Sequence, residues 1–471
     1  MRGFKFLFVL ILLLGIIANI FSQKKGSIKF NGSYECIVDL AHTKTFNRDT
    51  DYGEFNWGVN NFLNLRLNSE INENLSFGFA ININTFSGSF TNFYDYFFPD
   101  SLFVQAGDSS TDKSALLNKK GLIKLVSLPF YYKSAYVGSF ELERLYFKAG
   151  NEYFDIETGL IRIASGQKES MFSPIDFFNP KNPLNPTARP EPRLAILASF
   201  YPARLFNIQT FIVAPDDPLQ SKGWDFKFGT KAKFFFKKIN FELLYAFFLP
   251  QIEYEKDPAS IGLQESTNND FSHIVAVSFK ADIEIGLFFD ILYKFEHKSF
   301  KSGKYYGKNF YGYEGLEASI GVDYTLPGGW VYLKLEYLFY GSGMLDWWDS
   351  IDQIYVSSEW KYTNPYNRIQ LLKSEKKSLN FLRHDYISGL INVKVNDYLR
   401  LGTSYLFGID DQSGLLTIFG EIEPFQAFNI SIQAMFPFDW SMINKDWQIG
   451  EFSGANLGYY HRWLLICRVK F

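Results

Sequence analysis

Apolar and polar residues alternate along much of this chain. From Ile28 to Leu40 the even positions are Ile28, Phe30, Gly32, Tyr34, Cys36, Val38 and Leu40, and the odd ones are Lys29, Asn31, Ser33, Glu35, Ile37 and Asp39. Successive side chains of a strand point to opposite faces, so this period of two predicts a β-strand with one apolar face. The pattern returns in Leu63, Leu65, Leu67 and Ile71 set against Asn64, Arg66, Asn68 and Glu70. After Asn72-Glu73-Asn74 it resumes in Leu75, Phe77, Phe79, Ile81 and Ile83, which makes the two runs a hairpin.

Further hairpins are predicted for 226–236 with 239–248, 275–283 with 285–295, 316–324 with 331–339 and 387–395 with 399–407, joined at Lys237-Lys238, Glu284, Pro327-Gly328-Gly329 and Asn396-Asp397. The connections between hairpins are longer and polar, at roughly 87–138, 163–192, 214–223, 250–270, 298–312, 341–379 and 437–453. Only the link at Asp410-Asp411-Gln412 is brief. Short turns at one end and long loops at the other are the asymmetry of bacterial transmembrane barrels, which have an even strand number. The fold class predicted is therefore all-β, a transmembrane antiparallel up-and-down barrel of about eighteen strands, or sixteen if two weak segments are loops. Both termini fall on the short-turn side. A soluble sandwich or propeller also contains alternating strands, but sheets with outer faces this apolar need a second layer of core or aggregate.

The N-terminus agrees. Arg2 and Lys5 precede a nearly unbroken apolar run from Phe6 to Phe21, followed by Ser22-Gln23-Lys24-Lys25. A charged n-region before a short apolar run predicts a signal peptide over residues 1–22, cleaved near Ser22, with the barrel over 23–471. The run is short for a retained spanning helix, which takes about 20 residues. The first cysteine is Cys36, so no lipid-anchor cysteine follows the run. Beyond it, no apolar stretch is long enough for a helical span.

Composition changes the picture in two ways. Losing Arg2 and Lys5 takes the formal net charge from −3 to −5, so no basic footprint for nucleic acid is present. Aromatic residues make up 19% of the chain, with 51 Phe and 29 Tyr, as expected where aromatic girdles mark both lipid interfaces. The mean hydropathy of −0.10 suits a wall that alternates between lipid and lumen.

Charged residues on the face opposite the apolar one are candidates for the lumen: Arg66, Glu70, Lys227, Lys231, Lys233, Glu242, Asp290, Lys294, Glu317, Asp323, Lys334, Glu336 and Arg400. As a set of both signs they predict a polar, water-filled interior. Eight strands leave an interior filled by side chains, whereas sixteen to eighteen leave a passage. Loop 87–138 carries Phe93, Tyr94, Tyr96, Phe97 and Phe98, and either folds inward or caps the mouth.

Enzyme chemistry is not indicated. His42, His273, His297, His384 and His461 have no metal-ligand spacing, no nucleophile motif is present, and no cofactor is implied. Cys36 and Cys467 lie on the strands that must meet to close a barrel, both with lipid-facing parity. Their distances from the strand ends favour separate apolar packing over a seam disulfide.

Two segments carry a resemblance. In the last strand Trp463, Leu465, Val469 and Phe471 share one face, with Arg462, Arg468 and Lys470 on the other. This resembles the C-terminal signal of bacterial outer-membrane proteins that is read by the barrel-assembly machinery. The stretch Gly159-Leu160-Ile161-Arg162-Ile163-Ala164-Ser165-Gly166, followed by Ser173-Pro174-Ile175-Asp176-Phe177-Phe178-Asn179-Pro180, is similar to a strand and loop in porin-like barrels of Gram-negative bacteria. There the strand ends Gly-Arg-Gln-x-x-x-Trp-Gly, and Leu160, Ile161 and Ser165 depart from that half. The loop half, Ser-Pro-x-Asp-x-x-Asn-Pro, matches better. Pro174 and Pro180 stiffen this loop and Asp176 and Asn179 can fix its turns, whether it lies outside or folds inward. The resemblance implies an outer-membrane, porin-like channel for passive diffusion of small hydrophilic solutes, with lipid and the assembly machinery as partners and monomeric or homo-oligomeric states both open. A non-conducting surface barrel (an adhesin or assembly component) and a polysaccharide exporter share the same features.

Overall fold

The computed structural model describes residues 27–44, 53–88, 128–133, 136–166, 170–178, 192–215, 226–248, 273–295, 315–341, 384–440 and 461–471. The leader 1–22, most of the loop 87–138 and the loop 341–379 lie outside the described residues, as do Asn179 and Pro180.

Nineteen strands are described: β1 (Ser27–Lys44), β2 (Gly53–Asn72), β3 (Leu75–Gly88), β4 (Leu128–Lys133), β5 (Tyr136–Gly150), β6 (Phe154–Ile161), β7 (Arg193–Ala203), β8 (Phe206–Val213), β9 (Lys227–Phe236) and β10 (Ile239–Phe248), then β11 (His273–Asp282), β12 (Gly286–Phe295), β13 (Leu316–Thr325), β14 (Val331–Tyr340), β15 (Asp385–Lys394), β16 (Leu399–Gly408), β17 (Ser413–Phe425), β18 (Phe428–Asp439) and β19 (His461–Lys470). Each pairs antiparallel with its neighbours in sequence, except that β3 skips β4 to pair with β5. The first strand closes on the last over ten register pairs, from Ser33 opposite Lys470 to His42 opposite His461. Eighteen strands thus form a closed wall, each paired on both sides, and closure is what lets strands satisfy their backbone groups in hydrocarbon.

The nineteenth strand has a local reason. β6 pairs with β5 only up to Leu145 opposite Leu160, because the chain leaves the wall after Ile161. The part of β5 above that point would be an open edge, and β4 pairs with it from Leu128 opposite Phe140 to Lys133 opposite Tyr136.

The wall is apolar outside and charged inside, the reverse of a soluble protein. Exposed outward residues include Phe30, Ile196, Leu243, Ile291, Ile320, Leu335, Leu401, Ile418 and Ile432, while Glu35, Asp39, Lys231, Glu242, Asp290 and Glu336 are buried. Tyr153, Phe236, Trp330, Tyr398, Phe425 and Phe471 stand exposed at the short-turn end. Phe55, Trp57, Trp440 and Trp463 do so at the loop end. These are the two aromatic bands that sit where hydrocarbon meets headgroups.

Short turns join β2–β3, β5–β6, β7–β8, β9–β10, β11–β12, β13–β14, β15–β16 and β17–β18, all at the end that carries both termini of the barrel. The β16–β17 link at 409–412 is the brief one at the opposite end, as expected.

One expectation needs correction and one a refinement. Cys36 and Cys467 are free cysteines in the structure, yet they are direct register partners across the β1–β19 seam, because that seam starts at Ser33 rather than at the first residue of β1. The interior is not uniformly polar. Towards the loop end the inward positions are largely apolar, and they form two buried clusters around a segment of chain inside the barrel.

Candidate functional site: a segment folded into the lumen

After Ile161 the chain turns into the barrel, and the described residues 162–166 and 170–178 make contacts on widely separated parts of the wall. Arg162 Nη2 donates to Glu143 Oε1 of β5 at 2.7 Å. Lys231 of β9 donates through Nζ to the carbonyl of Ala164 at 2.6 Å. Ser173 Oγ donates to Asp290 Oδ2 of β12 at 2.8 Å. Glu336 of β14 accepts from three donors: Ser170 Oγ, the Met171 amide at 2.7 Å and the Phe172 amide at 3.3 Å. Four strands spread from β5 to β14 therefore hold one short segment.

The local sequence explains the fold of the segment. The Ser173 amide donates to Ser170 Oγ at 2.7 Å, the Asp176 amide to the Ser173 carbonyl at 3.0 Å and the Ser165 amide to Asp176 Oδ1 at 3.3 Å. A carboxylate, a hydroxyl and a backbone carbonyl thus satisfy amides of a backbone that is neither helix nor strand, as Asx and Ser turns do. Gly166 adopts φ 74°, and a Cβ there would lie 2.4 Å from Ser173 Oγ and 3.0 Å from Asp290 Oδ2, so conformation and space both call for glycine. Pro174 occupies the turn after Ser173.

Apolar packing fixes the same segment twice. Ile161, Ile163, Ile175 and Phe178 join Ala195, Phe211, Val213, Leu244, Ala246, Ile274, Ala276 and Leu292 of β7, β8 and β10–β12 in one cluster. Phe178 meets Phe211 edge-on, with ring centroids 5.4 Å apart. Phe172 reaches a second cluster, with Ile37, Ala41, Leu338, Tyr386, Leu406, Leu415, Met435, Leu464 and Ile466 of β14–β19 and β1. The described side chains of 161–166 and 170–178 span the lumen between these two clusters.

The remaining lumen is charged on its β1–β5 side. Glu143 projects inward beside Arg144 because a β-bulge shifts the register between Ala80 and Ile81, with Ala80 opposite Arg144 and Ile81 opposite Leu142. Glu143 accepts from Asn64 Nδ2, from Arg162 and, at 3.4 Å, from Arg66 Nη2. Its own side chain is 2% exposed, whereas that of Arg66 is 42% exposed. One buried carboxylate thus holds two arginines at the lumen surface.

The predicted lumen residues separate into groups. Lys231, Asp290 and Glu336 hold the inserted segment, and Lys334 lies 3.8 Å from Glu336. Arg66 belongs to the Glu143 network. Lys233–Glu242 at 3.1 Å and Lys294–Glu317 are wall pairs. Lys227 lies over the Phe248 ring, 5.5 Å from its centroid. Glu70 pairs with Lys29 at the short-turn rim, both well exposed, and Arg400 stands in register with Glu421 and Lys394 near the same end. The Asp323 carboxylate faces Gly286, so a Cβ at that glycine would lie 2.5 Å from Asp323 Oδ1. Sequence reasoning did not single out Glu143 or Ser170, and Arg162 and Ser173 entered only as members of the segment that carries the resemblance. A bulge has no signature in one sequence, and a loop serine gives no sign of which wall it will meet. The amides of His384 and Asp385 both donate to Asp410 Oδ2, and the Asp385 carboxylate accepts from Tyr337. No cluster of metal-ligating side chains occurs among the described residues.

No family model and no curated protein matches the chain. Among solved structures, Acinetobacter baumannii OccAB3 is 10% identical with TM-score 0.46, over 94% of this chain and 99% of that one. OmpT with loop L8 deleted, an outer membrane protein of Vibrio cholerae, is 9% identical with TM-score 0.36, over 95% and 100%. A mutant of the Rh. blastica porin is 10% identical with TM-score 0.38, over 94% and 100%.

Proposed function

We propose that this protein is an outer-membrane channel of porin type, through which small hydrophilic solutes diffuse passively. The single observation that carries the proposal is the anchored segment 162–178, which narrows an eighteen-stranded lumen without being part of the wall. A barrel of this width encloses a passage, and a segment held by Lys231, Asp290 and Glu336 sets how much of it is open. Arg66, Arg162 and Glu143 then supply a local field in the open part. The apolar outer face, the two aromatic bands and the apolar run at residues 6–21 support location in an outer membrane after export. The alternating C-terminal strand ending at Phe471 supports insertion by the barrel-assembly machinery.

Planar-bilayer recording of the purified, folded protein tests this reading. Discrete, stable conductance steps are expected. Glu336→Ala removes the acceptor for Ser170, Met171 and Phe172, and its steps should be larger and noisier. Absence of steps from correctly folded protein overturns the channel and favours a non-conducting surface barrel. Steps that appear only with long sugar chains as permeant would favour an exporter.

A further inference from the structure

The chain contains two cysteines, Cys36 and Cys467, and the fold places them opposite one another on the seam where β1 meets β19. Both are free thiols in the structure, with the outward parity of their exposed neighbours Tyr34, Val38, Leu465 and Val469, and neither is fully buried. Gly32 and Phe471 exchange both backbone hydrogen bonds, N to O at 2.8 and 3.1 Å. Hydrogen-bonded pairs alternate along an antiparallel ladder, so Cys36 and Cys467, four residues further, are also such a pair. Their Cα atoms are then about 5.5 Å apart, inside the range a disulfide needs.

We infer that Cys36 and Cys467 form a disulfide that closes the barrel covalently from its first strand to its last. The inference rests on the reading above, since an exported protein folds in an oxidising compartment. The thiols also have polar neighbours on the outer face. The Tyr34 hydroxyl donates to Asn61 Oδ1 at 2.7 Å, Asn61 faces Cys36 in register, and Asn61 Nδ2 donates to Thr85 Oγ1 at 3.3 Å.

The bond forms by exchange with a protein disulfide while the seam is assembling and water still reaches the pair. The thiolate of one cysteine attacks the donor disulfide, giving a mixed disulfide and one donor thiol. The thiolate of the other attacks the first cysteine's sulfur and releases the second donor thiol. Two protein thiols are oxidised, one donor disulfide is reduced, and the protons pass to the donor thiolates and water.

The test uses full-length protein taken from the cell envelope into denaturant with N-ethylmaleimide. Intact mass should show no adduct before treatment with dithiothreitol and two after it. On denaturing gels without reductant the heated chain, tied into a ring between residues 36 and 467, should run differently from the reduced chain, and C36S and C467S should each run as the reduced form. Two adducts before reduction, or a cross-linked dimer in place of the ring, would overturn the inference. Bilayer recording on the same preparation keeps the two readings apart. Conductance with free thiols removes only the seam bond, and a disulfide without conductance removes only the channel.

Discussion

Arg462 of β19 grips Asp39 of β1 inside the barrel, Nη2 to Oδ2 at 2.8 Å and Nε to Oδ1 at 3.1 Å, across 423 residues of sequence. The Asp39 side chain is 0% exposed and that of Arg462 10%, so neither is paired with solvent. Removing one partner of such a pair leaves a buried charge uncompensated, at about 3–5 kcal/mol. Asp39→Ala should therefore lower the temperature at which folded protein in detergent converts to the unfolded electrophoretic band. The pair next to it is weaker, because the Arg468 side chain that meets Glu35 is 43% exposed. Glu35→Ala should cost less than Asp39→Ala, and the reverse order would show that seam stability does not follow burial.

The turn between β15 and β16 separates a backbone role from a surface pair. Asn396 Oδ1 accepts from the amides of Tyr398 and Leu399, each at 2.8 Å. Asn396→Ala should destabilise by about 1–2 kcal/mol, read as a shift in urea midpoint for release from detergent. Asp397 lies 2.7 Å from Lys394, fully in solvent, and the ammonium holds its carboxyl below the usual aspartate range. A folded-state value below the unfolded one adds stability above the unfolded value, which is lost as pH falls through the folded one. Asp397→Asn should leave the midpoint at neutral pH unchanged, since an exposed pair contributes little.

The wall was legible because period-two alternation is a local property, and a closed barrel repeats it on every strand. Turns such as Asn72–Asn74 and Asn396-Asp397 were readable for the same reason. The inserted segment was half legible: Ser173, Pro174 and Asp176 mark a shaped loop, but its direction depends on Glu336, Asp290 and Lys231, which lie far away in sequence. The polar-lumen expectation failed at inward positions such as Phe211, Leu244, Ile274 and Leu406, whose strands still alternate. Alternation shows that two faces differ, and it says nothing of a second chain segment packed on the inner one. That Cys36 stands in register with Cys467 was not readable, because register across the closing seam is set by the whole circuit of strands, not by either strand end.

Phe172 should carry much of the segment's hold on the far wall. It is 7% exposed, in a cluster fed by β1 and β14–β19, while Glu336 anchors the backbone beside it. Truncating a buried Phe typically costs about 3–5 kcal/mol. Little of that should appear as loss of the barrel, whose ladder is independent of Phe172. Phe172→Ala should leave the heat-conversion temperature nearly unchanged and make residues near 167–170 susceptible to added protease. A large fall in conversion temperature with no gain in cleavage would mean that the cluster supports the wall instead.

Charge in the open part of the lumen is set by Glu143. It pairs with both Arg66 and Arg162, offsetting one of their two charges, and its bulged position leaves Arg144 pointing the same way. Glu143→Gln keeps the side-chain shape and an oxygen to accept from Asn64, yet removes the one negative charge between the arginines. The lumen then gains positive potential, and a salt gradient across a bilayer should shift the reversal potential towards anion preference, with conductance altered less than selectivity. The shift should shrink as salt rises, because the screening length falls from about 10 Å at 0.1 M to about 3 Å at 1 M. An unchanged reversal potential at low salt would place the conducting path away from Arg66 and Arg162, on the opposite side of the inserted segment.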